Sequence, residues 1–374
     1  MAATQSQQAN PTQLNAMNRA LLLQSGIPMI KKLPQVSGAL GSAIQVPLLR
    51  MGIMTAILLD VQVPVNITAA ATLSQFGPWN VLSQIKYTDF AGVDRINTNG
   101  WSLFALNSLK HREVAGAAIP FNAVAGVGAR DSAILSAPTA VGTGVLRFQI
   151  MIPCAYEPSS DLRGAILAQT VVGEHYVTLQ TAQALGGSDN WTTPYVGGTV
   201  ASNGNITVQA YQMYIQQQSS NAALLPAIDL STIYAIEGNY VDAANIVAGQ
   251  SKYLNFPNNR SIMSALHVFD NGGVGTPNGT DLSQITLIAN ANTNLRELQP
   301  PILRGFMRSI LGADLADGAY YIGSRRQPIT TQLFGNVQSK FDVQTVAAEG
   351  AVQFVSQYES FYPSGAPLPG IQTS

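Results

Sequence analysis

The chain has 374 residues, of which 46% are hydrophobic and only 10% are charged, with 33 glycines and 20 prolines. This length exceeds one ordinary hydrophobic core, and the charged fraction is far below the roughly 25% of typical globular domains. The net charge of −1 excludes a general attraction to nucleic acid, and the single cysteine, Cys154, excludes an internal disulfide framework. The composition favours an all-β protein with many turns, whose surface is covered largely by copies of itself.

The N-terminal segment differs from the rest of the chain in charge. Its first 50 residues contain no acidic side chain and four basic ones, Arg19, Lys31, Lys32 and Arg50. This asymmetry indicates a segment that faces lipid headgroups or nucleic acid, and a solvated tail fits the same pattern. Asn10 as N-cap, Pro11 at the first helical position and apolar residues at helical spacing predict an amphipathic helix over about 11–24. No signal peptide is visible, and the single Cys154 favours synthesis in a reducing compartment.

After Lys32 the apolar side chains alternate with polar ones, which is the pattern of half-buried β-strands. The clearest segments are GIMTAILLDVQVPVNIT from Gly52, GVLRFQIMIP from Gly144, NITVQAYQMYIQQ from Asn205 and AVQFVSQYESFY from Ala351. Turn signals rich in Gly and Asn separate them. Because strands do not alternate with long helices, the sequence predicts β-sandwiches with short helical insertions rather than an α/β fold.

Few stretches beyond the N-terminal segment read as helical. They are a turn or two after Pro78, LSTIYAIEG from Leu230, and PPILRGFMRSILG from Pro300. A polar run, QQQSSNAA, lies just before Pro226 and is the best candidate linker in the middle of the chain. We therefore expect three parts: an N-terminal tail with the amphipathic helix over 1–35, a first sandwich over 36–222 and a second over 223–374.

No pattern of catalytic or metal-binding residues is visible. The three histidines, His111, His175 and His267, are far apart and lack partners at ligand spacing, and no nucleophile or phosphate-loop motif occurs. Neither a cofactor nor a metal is predicted. Cys154, on a strand and without a basic neighbour in sequence, is expected to be a small buried apolar residue.

Two other classes of protein remain as alternatives. A carbohydrate-binding or glycan-processing β-sandwich would need paired carboxylates in a cleft. The candidates are Asp229 with Glu237 and Asp314 with Asp317. An attachment or spike protein is disfavoured by the lack of fibrous repeats and by the basic N-terminal helix.

Several segments, taken in order, resemble the major capsid proteins of tectiviruses, the membrane-containing icosahedral phages. The first is FGPWNVLSQIKYTDFAGVDRINTNGWSLFALN from Phe76. The others are EPSSDLRGAILA from Glu157, LPAIDLSTIYAIEGN from Leu225, VFDNGG from Val268, GAYYIGSRRQPITTQLFGNV from Gly318 and YESFY from Tyr358. Together they span about residues 70–362 and fall in both halves. The loops around 120–141 and 186–205 do not match.

The resemblance implies a double jelly roll, with two eight-stranded sandwiches in one chain and no enzymatic activity. It further implies homotrimeric capsomers with a six-sided footprint, in an icosahedral shell around an internal membrane and a DNA genome. The protein would be made in the host cytoplasm and reside in the virion capsid. Its partners would be other copies, the membrane, and minor and vertex proteins, without sequence-specific binding of nucleic acid. Arg19, Lys31 and Lys32 would face the membrane or contact a neighbouring capsomer.

In this setting the interruption of the strand pattern at Phe76, Gly77 and Pro78 becomes a structural corner. Pro78 is expected to end a strand, and Trp79 to cap a sandwich or fill a subunit junction. Trp101 is expected to open the next strand and cover the same core.

Overall fold

The computed structural model describes residues 26–74, 77–89, 94–115, 134–158, 162–168, 175–188, 192–216, 233–241, 246–271, 281–290, 293–311, 318–323, 328–334, 336–346 and 352–361. The helix predicted over 11–24, with Arg19, lies outside these residues, as does Phe76. The candidate linker before Pro226 also lies outside them.

The elements of the first half, in chain order, are β1 (Ile27–Lys32), β2 (Val36–Gly38), β3 (Ala43–Pro47), β4 (Ile53–Ala69), β5 (Thr72–Leu73), β6 (Leu82–Thr88), β7 (Asp94–Thr98), α1 (Gly100–Ala115), β8 (Ile134–Ser136), β9 (Gly142–Pro153), β10 (Ile166–Leu167), β11 (Tyr176–Thr181), β12 (Gly186–Gly187), β13 (Tyr195–Val196), β14 (Thr199–Ser202) and β15 (Ile206–Gln216). A short 3₁₀ turn, Trp79–Val81, precedes β6.

The elements of the second half are β16 (Tyr234–Val241), β17 (Ser251–Asn255), β18 (Ser261–Asn271), β19 (Leu282–Ala289), β20 (Thr293–Leu298), α2 (Pro300–Leu311), β21 (Ala319–Gly323), β22 (Ile329–Thr330), β23 (Val337–Val343) and β24 (Val352–Phe361). A second 3₁₀ turn, Thr331–Leu333, lies between β22 and β23.

The two halves repeat one strand order. In the first half, β1, β15, β4 and β9 are neighbours in one sheet, and β3, β11, β6 and β7 are neighbours in another. In the second half the corresponding orders are β16, β24, β18, β21 and β17, β23, β19, β20. Each half also places a helix after the last strand of the second set, α1 after β7 and α2 after β20. Each half is therefore an eight-stranded jelly roll, and the predicted all-β double jelly roll is confirmed.

One sheet runs through both halves. β7 of the first half pairs in parallel with β16 of the second, with Ile96 opposite Ile236 and Asn97 opposite Glu237. This pairing produces a nine-stranded sheet whose main order is β21, β18, β24, β16, β7, β6, β11, β3. We call the contact between the halves along β7, β16 and α1 the seam.

The core follows from the alternation of apolar residues in the long strands. On β4, Ile57, Leu59 and Val61 are completely buried, and β15 and β9 pair on either side of this strand. Asp60, on the opposite face of β4, is also buried, and its carboxylate accepts two hydrogen bonds from Arg147 at 2.7 and 3.0 Å. A buried carboxylate needs such a partner because an unpaired one would be strongly destabilising.

The structure corrects the expectation that Trp101 opens a strand. Trp101 is the second residue of α1, and Asn99 caps this helix, since its side-chain oxygen accepts a hydrogen bond from the backbone N–H of Ser102 at 2.8 Å. From Gly100 to Lys110 every residue of α1 is buried or half-buried. A helix buried all round lacks the apolar stripe by which periodicity identifies a helix.

The stretch LSTIYAIEG was predicted to be helical, and this is wrong for its described part. Tyr234–Val241 is the strand β16, which lies between β24 and β7. Ile233, Tyr234 and Ile236 are residue types that favour strands, and a central position in a sheet decides such a case. The helix predicted from Pro300 is confirmed as α2.

Three further segments are strands where loops or a tail were expected. β1 lies inside the expected N-terminal tail, 1–35, and pairs with β15. β8 lies within 120–141, and β12, β13 and β14 lie within 186–205. These strands are short or at sheet edges, where neighbouring strands determine the structure more than local sequence does.

Candidate functional site

The seam contains a buried ion pair between the halves. Lys110 on α1 donates to a carboxylate oxygen of Glu359 on β24 at 2.6 Å, and the two side chains are 7% and 1% exposed. Lys110 also donates to the backbone carbonyl of Tyr156, and its Nζ lies 3.8 Å from the centre of the Tyr156 ring. The second carboxylate oxygen of Glu359 accepts from Ser264 at 2.9 Å. Both charges are thus satisfied by several groups, as burial requires.

Tyr234 on β16 completes this cluster. Its hydroxyl donates to Glu359 at 2.5 Å, and Lys110 lies 3.3 Å from the same hydroxyl. Burial raises the pKa of Tyr234 well above its ordinary value, and the negative charge of Glu359 raises it further. Tyr234 therefore stays protonated and serves as a fixed donor across the physiological range.

The backbones of the two halves approach closely next to this cluster. Gly164 has φ of +81°, and a Cβ at this position would lie 2.1 Å from the Cβ of Tyr234. The carbonyl of Gly164 accepts a hydrogen bond from Arg95 at 3.0 Å, and Arg95 forms a buried ion pair with Asp89 at 2.7 Å. Only glycine fits both the backbone conformation and the space.

The predicted corner lies between the two sheets of the first half. Gly77 and Pro78 form a turn with a cis peptide bond, followed by the 3₁₀ turn at Trp79. The ring of Trp79 is 2% exposed and stacks on Phe104 of α1, with 3.5 Å between centroids and 11° between planes. Its indole N–H donates to the carbonyl of Gln149 on β9 at 3.2 Å. Trp101 is buried as well, 4% exposed.

Lys31 and Lys32 lie on β1, away from the seam. All six residues of β1 are exposed, including the apolar side chains of Met29 and Ile30, which are 40% and 65% exposed. β1 forms the end of its sheet in the described structure and pairs only with β15. Both lysines are exposed, whereas Trp79 at the corner is buried.

A second exposed apolar surface lies on α2. Leu303 and Met307 are buried beneath the helix, while Ile302 and Phe306 on the outer face are 59% and 51% exposed. A Cβ on Gly305, between them, would meet nothing within 4 Å. We call Ile302, Gly305 and Phe306 the α2 stripe. Among the described residues, neither helix is long and apolar enough to cross a membrane.

The candidate chemical residues are placed as structural groups. Burial lowers the pKa of His267 to about 3, and its Nε2 lies 3.0 Å from the hydroxyl of Ser339. His175 contacts the hydroxyl of Tyr87 at 2.6 Å. Cys154 is buried, and this burial raises its pKa to about 12, so the thiol is a poor nucleophile. No group of three metal-ligating side chains occurs within the described ranges. The side chain of His111 lies outside them.

A cavity of about 360 Å³ at the seam bears on the glycan alternative. Two of the residues that line it carry carboxylates, Asp94 and Glu237. Asp94 pairs with Lys86 at 3.0 Å and Glu237 with Arg260 at 2.8 Å. Burial raises the pKa of Glu237 more than Arg260 lowers it. Each carboxylate has its own cation, so this is not an unpaired acid–base couple. Asp229, Asp314 and Asp317 lie outside the described residues.

The key groups of the seam, Lys110, Glu359 and Tyr234, were not identified from sequence as a site. Nothing in the local sequence marks either residue, because Lys110 is followed by further polar residues and the strand of Glu359 also carries Gln357 and Ser360. Spacing cannot join two residues that are 249 positions apart.

Two family models match this chain and divide it between them. The N-terminal model of the P3 major capsid protein matches residues 2–218, and the C-terminal model of the same protein matches residues 231–364. The chain belongs to the P3 major capsid protein family. The resemblance found in the sequence is thereby confirmed.

Individual relatives agree with this family. The major capsid protein P3 of Enterobacteria phage PRD1 is 28% identical, over 92% of this chain and 90% of its own length. The STIV MCP, from Sulfolobus Turreted Icosahedral Virus, has a TM-score of 0.66 at 12% identity, covering 90% of this chain and 97% of its own. The PBCV-1 virus capsid protein has a TM-score of 0.61 at 10% identity, covering 90% and 93%. These structures support the double jelly-roll fold.

Family membership determines the general role. This P3-family chain is a structural component of a tectivirus-like phage and is located in the virion capsid. Its role, as a member of this family, is structural and non-enzymatic.

Proposed function

We propose that this P3-family chain assembles as a homotrimer with a six-sided footprint, and that these capsomers tile an icosahedral shell. The observation that carries the proposal is the repeated strand order of the two halves. Two equivalent jelly rolls in each chain supply six equivalent units when three chains are related by a threefold axis. The continuous sheet and the Lys110–Glu359 pair hold the two units of one chain together.

The native mass tests this proposal directly. Sedimentation velocity or native mass spectrometry of the purified chain is expected to give three times the 39.6 kDa of one copy. A stable monomer at micromolar concentration would contradict the homotrimer.

The domain division belongs to the same proposal. We propose a first jelly roll over about 36–222 and a second over 223–374, and the ranges of the two family models support this boundary. β1 pairs with β15, so Ile27–Lys32 joins the first jelly roll rather than the tail. Limited proteolysis within 217–232 would test the boundary, because cleavage there should give two fragments of these sizes that stay associated.

The membrane is the proposed partner of the N-terminal segment. This segment is free of acidic residues, and the helix expected over 11–24 gains most by burying its apolar face on lipid or on an adjacent capsomer. Arg19, with Lys31 and Lys32 on the exposed β1, would add an attraction of about 1 kcal/mol each near an anionic surface. The genome inside the membrane is DNA, and minor and vertex proteins complete the shell in this proposal.

Removal of residues 1–24 tests the membrane role. The truncated chain is expected to form trimers with nearly unchanged thermal stability, and to lose binding to vesicles that contain anionic phospholipid. A matched variant with Lys31→Glu and Lys32→Glu separates charge from packing of the apolar face. Normal vesicle binding by the truncated trimer would contradict the role, and failure to form trimers would place the segment inside the capsomer.

A further inference from the structure

The seam within one chain has an open counterpart at the outer ends of the two jelly rolls. Within the chain, β7 pairs with β16. β7 ends the order β3, β11, β6, β7 of the first jelly roll, and β16 begins the order β16, β24, β18, β21 of the second. By the repeated strand order, β20 is the equivalent of β7 and β1 is the equivalent of β16. In the described structure each of these equivalents ends its sheet.

β20 and β1 are more exposed than their equivalents at the seam. On β7, Arg95 and Ile96 are 7% and 1% exposed. On β20 the five residues from Thr293 to Glu297 are all exposed, and so are all six residues of β1. An exposed edge strand presents unpaired backbone N–H and C=O groups that can pair with another chain, and proteins that must stay monomeric usually block such edges.

The two helices show the same difference. α1 begins two residues after Thr98, and α2 begins two residues after Leu298, so Ser102 corresponds to Ile302 and Leu106 to Phe306. Ser102 and Leu106 are 0% and 1% exposed, whereas Ile302 and Phe306 are 59% and 51% exposed. α1 packs against β24 and α2 at the seam. The outer face of α2 therefore carries apolar side chains where its equivalent has a covering layer.

We propose that β20 of one copy pairs in parallel with β1 of the next copy, while the α2 stripe packs against that next copy. This contact repeats between chains the seam found within each chain. It rests on the proposed homotrimer and identifies the surfaces that form it. In the register derived below, Glu297 of β20 lies opposite Ile30, one residue along β1 from Lys31. The contact is head-to-tail, so three copies close a ring with three seams inside chains and three between them.

The register follows from the pairs within each jelly roll. The last residue of β24 pairs with Tyr234, and the last residue of β15 pairs with Ile27. Met29 therefore corresponds to Ile236. On the partner strands, Ile96 of β7 pairs with Tyr87, and Arg296 of β20 pairs with Leu287. Both residues lie equally far in sequence before the helix that follows, so Arg296 corresponds to Ile96. Since Ile96 pairs with Ile236 at the seam, Met29 is expected opposite Arg296 of the next copy.

Disulfide trapping tests this register. Neighbouring strands are about 4.8 Å apart, which is within the span of a disulfide. The full-length chain with Met29→Cys and Arg296→Cys is expected to give covalent trimers on a denaturing gel after mild oxidation. The buried Cys154 should not interfere. Controls are each single variant and the mismatched pair Met29→Cys with Tyr253→Cys, all of which should remain single chains on the gel.

A second variant pair keeps the test independent of cysteine chemistry. Phe306→Asp is expected to convert the trimer into a folded monomer, whereas Leu333→Asp, at an apolar side chain that is 78% exposed, should leave the trimer intact. Native trimers that do not cross-link, or that persist in Phe306→Asp, would overturn this contact and leave the homotrimer standing. A parent protein that is monomeric would overturn both.

Discussion

Lys110 and Glu359 lie on different jelly rolls, yet their side chains form a 2.6 Å ion pair in which both are almost completely buried. The pair is held by the hydroxyl of Tyr234 and by Ser264, so that neither charge depends on water. A buried ion pair adds little net stability over an apolar contact, but loss of one partner is costly. We therefore expect the pair to favour this arrangement of the two halves over others that would leave either charge buried without its partner.

Glu359→Gln is expected to destabilise the chain by about 3–5 kcal/mol, because it leaves the charge of Lys110 buried without a counter-charge. Chemical denaturation gives the free energy of unfolding. The double variant Lys110→Met with Glu359→Gln should recover a large part of the loss. Lys86→Met, at the exposed Lys86–Asp94 pair, is the control and should cost less than about 1 kcal/mol. Equal effects of Glu359→Gln and Lys86→Met would show that the buried pair is not special.

Gly164→Ala tests the close approach of the two backbones. The new Cβ would lie 2.1 Å from the Cβ of Tyr234, so the seam must open to admit it. Gly249→Ala is a matched control, because Gly249 has φ of +76° and open space around its Cβ position. The control should cost only about 1 kcal/mol from backbone strain. Gly164→Ala is expected to cost several kcal/mol more by thermal and chemical denaturation, and similar losses in both variants would contradict the packing at Tyr234.

Sequence reasoning succeeded where apolar residues recur at every second position along a strand. The alternation around Leu59 predicted β4 correctly, because a long strand with buried faces leaves a clear period of two. It failed at Trp101, because α1 is buried on nearly all sides and shows no apolar stripe. It also failed at Tyr234, where a short apolar run fits either a helix or a strand until its neighbours β24 and β7 are known.

The seam could not be predicted in the same way. Lys110 and Glu359 are ordinary charged residues in the sequence, and only the repeated strand order brings them together. The corner at Trp79 was easier, since a proline and a tryptophan that interrupt a strand pattern indicate a turn with a large buried ring. Its contact with Phe104 was not predicted, because α1 was not predicted.

His267→Gln is expected to reduce the loss of stability in acid. Burial lowers the pKa of His267 to about 3, well below its value of about 6.5 in the unfolded chain. Below pH 6.5 the unfolded chain therefore binds a proton that the folded chain does not, so stability falls as the pH drops from 6.5 to 3. The slope approaches about 1.4 kcal/mol per pH unit for this one group.

Glutamine does not titrate, and its amide can contact the hydroxyl of Ser339 in place of the imidazole. Chemical denaturation at pH 7, 5.5 and 4 should give a shallower pH dependence for His267→Gln than for the parent. The carboxylates titrate in both proteins and cancel in the comparison. An unchanged slope would show that His267 is accessible to protons in the folded chain.

Trp79→Asp is expected to abolish soluble expression or to lower the free energy of unfolding by more than about 4 kcal/mol. The indole is 2% exposed, stacks on Phe104 and donates to the carbonyl of Gln149, so an aspartate there would be a buried charge in an apolar site. Trp79→Phe is a milder change, because it keeps an aromatic ring to stack on Phe104 but removes the indole N–H and the volume of the five-membered ring, and it should cost less than Trp79→Asp. Tyr253→Asp, at a side chain that is 52% exposed, controls for the added charge and should have little effect.

If Trp79→Asp expresses and melts like the parent, Trp79 does not hold the two sheets of the first jelly roll together. If Trp79→Phe is as damaging as Trp79→Asp, the buried charge is not the cause of the loss, and the fit of the whole indole between Phe104 and Gln149 is.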